Sequence, residues 1–240
     1  MVDGPGTAGA TPLCTVTDKC ADEKVLQVSR QGGGSAQSVA GSYLVDGAVF
    51  GGIGFVLGLV VTFLVSRLDD DLSEEMDSLS ELGTLTGLDV STLDAVLWVF
   101  FEAQFVDIES TIEGAGESET ETVALLSEAS LPELVYTLLL AGTLVLVGFL
   151  LVRRVGAPNR RDAMLSGATL VVGYLPLALV GTFVSRASQS SSGFGTTTSL
   201  TVGPNLLLAA VLAGLVFPVV CGAVGGFLAF AQQPGAVRAR

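Results

Sequence analysis

Four stretches without a single Asp, Glu, Lys or Arg punctuate the chain: Gly47–Val65, Leu134–Val152, Ala163–Val184 and Leu206–Ala231. Roughly 20 helical residues cross a hydrocarbon layer of about 30 Å. Inside that layer a backbone must satisfy its own hydrogen bonds, which a helix does. The pattern predicts four membrane-spanning helices, at 43–66, 133–152, 163–185 and 204–231. Between and around them lie a flexible Gly- and Ser-rich tail (1–42), a long loop (67–132), a short basic loop (153–162), a second polar loop (186–203) and a tail (232–240).

The long loop carries shorter signals. Residues 72–82 read as a helix stopped by Gly83, and residues 91–108 as a second that opens on Ser91 and Asp94 in capping-box spacing. The apolar centre of that second helix, Ala95–Phe101, is too short to span, so it is expected to pack on the end of the bundle with Trp98 near the interface. Ser110–Thr122 reads as an exposed, mobile loop. Ser130 through Glu133 resembles a capping box for the second span, Asn159 with Asp162 caps the third, and Gly203-Pro204-Asn205 opens the fourth. The expected fold class is all-α: a polytopic bundle of four transmembrane helices under an acidic, helical, extracellular cap.

Charge gives the bundle an orientation. The loop between the second and third spans holds Arg153, Arg154, Arg160 and Arg161. If it is cytoplasmic, so are both termini, and only Arg67 and Arg186 of the basic residues lie outside. Residues 66–133, rich in carboxylates, then face out. The chain has 24 acidic against 11 basic residues and a net charge of −13. So acidic a balance, with Lys19 and Lys24 as the only lysines, reads as a protein of a salt-loving organism. It excludes nucleic-acid partners, which need clustered Lys and Arg.

Candidate chemistry is sparse. The chain has no histidine, so imidazole acid–base chemistry, a Ser-His-Asp triad and imidazole metal ligation are excluded. Cys14 and Cys20 match no common zinc spacing, and Cys221 sits in an apolar run as a packing residue. Asp69-Asp70-Asp71 with Glu74, Glu75 and Asp77 lacks the alternation of a calcium loop and reads as a solvated acidic face. No catalytic residue, cofactor or metal is expected, and no enzymatic activity. Glycines four apart (Gly47/Gly51, Gly54/Gly58) and Gly222, Gly225 and Gly226 read as close helix contacts. Sliding the chain by 120 residues lays Gly47–Phe63 on Gly167–Phe183 with seven identities, a weak sign of two similarly oriented halves.

The strings WVFFEAQFVD (98–107), VVGYLPLALVGTF (171–183) and AGLVFPVVCGAVGGFLA (213–229) resemble an uncharacterised family of haloarchaeal multipass membrane proteins, whose members often carry a transporter label. The resemblance implies a halophilic membrane protein and assigns no functional residue. Two functions follow as expectations. In a small transporter, Thr62, Thr169, Tyr174, Pro176, Thr182 and Pro218 would line a path. In a non-transporting accessory or envelope-interaction protein, Trp98, Phe101 and Phe105 of the acidic loop would meet a partner. The bilayer is the expected partner in either case, with a second copy or an envelope protein beside it.

Overall fold

The computed structural model describes residues 44–232, apart from Asp89, Ala115, Gly116, Glu128, Phe194 and Gly195. The expected flexible tail (1–42) with Cys14 and Cys20, and nearly all of the 232–240 tail, lie outside the described residues. Four helices are long and apolar enough to cross a membrane: Leu44–Leu68, Glu133–Val155, Arg160–Val184 and Leu206–Ala231. Large side chains such as Val56, Leu64, Leu138, Leu146, Val180 and Val220 are exposed along their outside. An apolar exterior of that extent is compatible with a lipid surrounding.

Helix α1 (Leu44–Leu68) buries Gly47, Gly51, Gly54, Phe55, Gly58, Thr62 and Ser66. They recur every three or four residues and form one face. A Cβ at Gly51 would strike the Leu170 carbonyl and one at Gly47 the side chain of Thr169, so α1 lies backbone to backbone against the third span. α2 (Asp70–Thr86) and α3 (Thr92–Glu102) follow, then β1 (Ile108–Gly114), β2 (Glu117–Val123) and α4 (Glu133–Val155). The third span is two helices, α5 (Arg160–Ala168) and α6 (Val171–Val184), joined through Thr169 and Leu170. After β3 (Ala187–Gly193) and β4 (Thr196–Pro204), α7 (Leu206–Ala231) completes the bundle. The stretch Ala209–Val216 of α7 is π-helical, with Phe217 N–H donating to the Leu212 carbonyl just before Pro218, which has no N–H. Added Cβ atoms at Gly222, Gly225 and Gly226 would meet backbone of α5 or α4, so α7 packs closely on both.

The fold is not all-α. The four strands make one antiparallel sheet in the order β2-β1-β4-β3, one hairpin from each polar loop. Ser110–Thr122, expected as a mobile loop, is most of a hairpin in which Thr111 faces Thr120 and Ile112 faces Glu119; the second loop (186–203) is the other hairpin. The central seam pairs Ile112 with Leu200 and Ser110 with Val202. Of the four strands only β2 (ESETETV) alternates Ser or Thr with other residues, whereas β3 and β4 hold runs of Ser and Thr. β-branched Thr, Ile and Val favour the pleat. The strand roots at Ile108, Ala187 and Pro204 are buried, while Glu113, Glu117, Ser192 and Thr197 farther out are exposed, so the sheet stands on the end of the bundle.

Each half runs span, hairpin, span. The aligned hydroxyls Thr62 and Thr182 make the same bond, to the carbonyls of Gly58 (3.0 Å) and Ala178 (2.9 Å). The sheet order departs from that symmetry, because β1 neighbours β4 where the repeat would place like strands together.

Candidate functional site

Helix α3 is buried where the bundle meets α2 and the sheet. Ser91 caps it, with the reciprocal Asp94 bond the sequence predicts. Every residue from Ala95 to Phe101 is then at most 3% exposed. A helix resting on a surface buries one face; one buried all round is inside. Phe100 meets Gly58 and stands edge-on to Phe55 at 5.2 Å, while Phe55 meets Tyr174 at 5.3 Å. Gly58 lies ten residues before Leu68, about 15 Å along the helix axis. The Phe100 ring therefore reaches well into the sheet-end part of the bundle, while Trp98 sits level with Ser185, where the third span ends.

Polar bonds hold this helix. Trp98 Nε1–H donates to the Ser185 carbonyl at 2.7 Å, and Thr137 Oγ1–H to that of Ala103 at 2.9 Å. Gln104 is fully buried; its Nε2 donates to the Phe100 carbonyl (3.0 Å) and its Oε1 accepts from the Tyr174 hydroxyl (2.9 Å). The chain then turns through Phe105, which is 58% exposed and has φ of 62°, a left-handed conformation rare for a bulky side chain.

Two carboxylates clamp the segment between β2 and α4. Asp69, 1% exposed, caps α2 through Leu72 N–H. It also accepts from Ser130 N–H and hydroxyl (3.2 and 2.7 Å), Leu131 N–H (3.1 Å) and the Tyr136 hydroxyl (3.0 Å). Burial alone would raise its pKa, but the bonds from Ser130, Leu131 and Leu72 outweigh it and hold the group at about 2. Ser130 thus serves Asp69 instead of capping α4, whose N-cap is Pro132 with no side-chain bond. Glu102, at the end of α3, accepts from Leu125 and Leu126 N–H at 3.0 and 3.2 Å. Burial raises it to about 7, the charges of Glu133 and Asp107 push the same way, and the two N–H bonds oppose them.

The expected path residues are not one cluster. Thr169 bonds the Ser166 carbonyl and lies beside Gly47, near the end of the bundle away from the sheet. Tyr174 is central, and Thr62 and Thr182 stand toward the sheet end with their hydroxyls returned to their own helices. Pro176 is exposed on the outside of α6, whereas Pro218 is buried beside the π-helical stretch. Of the three expected contact aromatics, Trp98 and Phe101 are buried and Phe105 is exposed. The acidic run is split: Asp69 points inward, while Asp70 and Asp71 stay on the exposed first turn of α2. Among the described residues no group of three carboxylates or cysteines is placed to hold a metal. Sequence reasoning missed Asp69 and Gln104. Asp69 follows directly on a span and opens a helix, an N-cap position that could have marked it; Gln104 carried no signal beyond its place in an apolar segment.

No curated protein and no solved structure matches the chain. A family match extends over residues 27–233, through all four spans, both hairpins and the buried helix, and by it the chain belongs to a family of unknown function, DUF7978.

Proposed function

We propose that the chain is a non-transporting, non-enzymatic protein of the cell membrane that presents its sheet and α2 to an envelope partner. The observation that carries this reading is the burial of α3, whose Phe100 packs on Gly58 of the first span and whose neighbour Gln104 bonds Tyr174 of the third. The positions of Arg153, Arg154, Arg160 and Arg161 at the other end favour a cytoplasmic arginine end, cytoplasmic termini and an external sheet. The acidic balance and the resembling strings favour a haloarchaeal source. β2 exposes Glu117–Thr122 on both faces and β3 carries no charged side chain, so the sheet offers one acidic and one neutral edge for strand addition. Phe105 stands at the foot of this domain, strained and exposed.

The test places a photo-crosslinking residue at Thr120 or Ser188 in intact cells. The expected outcome is one recurring protein adduct, lost with Phe105→Gly or when β3 is given charges. Adducts to lipid alone would count against the reading. A small transporter is the second reading, favoured by the break at Thr169-Leu170 and the π-helical stretch of α7. It requires α3 to withdraw. Solute counterflow in reconstituted vesicles that Tyr174→Phe with Thr182→Val reduces would establish it over the first.

A further inference from the structure

The arginine end carries a second surface that the sheet-end function does not use. Arg153 and Arg154 close α4, and Arg160 and Arg161 open α5. All four are exposed. Three lie over phenylalanine rings from three different helices: Arg153 over Phe149 of α4 at 5.5 Å, Arg154 over Phe50 of α1 at 5.8 Å and Arg160 over Phe227 of α7 at 4.4 Å. Ring contacts of this kind hold guanidinium groups at one level while leaving their N–H donors free. None of the four is ion-paired among the described residues, although the chain is strongly acidic. Asp162 and Asp46 are the carboxylates nearest in sequence on these elements.

Below the guanidinium level the surface is apolar. Leu146 (56% exposed) and Leu150 (47%) lead up α4 to Arg153 and Arg154, and Leu228 stands next to Phe227 on α7. Leu165 and Met164 lie one turn from Arg160 and Arg161 on α5. An exposed aliphatic stripe ending in a planar cation has the shape and charge order of a phospholipid, acyl chain below and phosphate above.

We propose that this rim binds anionic phospholipid headgroups, and that bound anionic lipid stabilises the bundle. The proposal rests on reading the four helices as membrane spans. The test uses the full-length chain in detergent micelles supplied with equal phosphatidylglycerol and phosphatidylcholine, with retained lipid counted by native mass spectrometry at low and at physiological ionic strength. Retention of phosphatidylglycerol at least tenfold over phosphatidylcholine is expected, falling with each arginine replaced. Arg153→Gln, Arg154→Gln, Arg160→Gln and Arg161→Gln together should abolish the preference and the accompanying rise in melting temperature. Equal retention of both lipids by the unaltered chain would overturn the proposal, and needs no variant to fold. So would full displacement by millimolar inorganic phosphate, which would make the ligand a free anion. Release of the chain from membranes by alkaline carbonate would instead remove the span reading, and the proposal with it.

Discussion

The two buried carboxylates make opposite demands on pH. Glu102, at about 7 in the folded chain against an ordinary 4.5, binds its proton more tightly when folded. Its contribution is present in full below about 4.5 and is lost as pH rises through about 7. Asp69, at about 2 against 3.8, contributes stability above 3.8 that is lost as pH falls through about 2. Melting temperature should therefore rise as pH is lowered from about 7 to about 4.5, and Glu102→Gln should flatten that slope while leaving the acid limb below 3.8 untouched. A slope unchanged in Glu102→Gln would show that another group titrates. Asp69→Asn replaces an acceptor-only group with one that turns an amide toward donors from Ser130, Leu131, Leu72 or Tyr136. The expected cost is about 3 kcal/mol by reversible unfolding; a loss under about 1 kcal/mol would mean that the amide finds other partners.

The elements divide by how far their signals were local. The four long apolar helices were legible because charge-free runs of about 20 residues have the length and composition of a spanning helix. The start of α3 was legible in Ser91 and Asp94, a bond pattern within four residues. Its burial was not, since that depends on Gly58 and Gly181, from distant parts of the chain, leaving room for Phe100 and Phe101. The hairpins were missed because stretches rich in Ser, Thr and Glu look like a solvated loop until a partner strand is known. The fit of α3 can be tested through its deepest polar pair. Gln104→Leu strands the Tyr174 hydroxyl in the core and should cost about 1–3 kcal/mol. Adding Tyr174→Phe should recover much of that loss, because both unmatched groups are then gone. Additive losses would show that the two side chains do not act as a pair.

At the scale of the whole molecule the ends differ in charge: Arg153, Arg154, Arg160 and Arg161 gather at one, and the sheet with most of the described carboxylates lies at the other, beside Arg67 and Arg186. In a chain with its cysteines replaced, Thr120→Cys should react with a membrane-impermeant maleimide on intact cells, and Arg161→Cys only after permeabilisation. The reverse pattern would invert the orientation proposed above. The β1–β4 seam also sets an order of events during synthesis. β1 and β2 leave the ribosome early, but β4 emerges only after α4 and the α5–α6 span. For that interval one edge of β1 has no neighbour and α3 lacks the wall that α6 supplies. The nascent first half is thus a half-built shelter, with Glu109 and Glu113 charging the waiting edge of β1 and Glu117, Glu119 and Glu121 the opposite edge of the ribbon, which opposes pairing with a stray strand until the chain's own arrives.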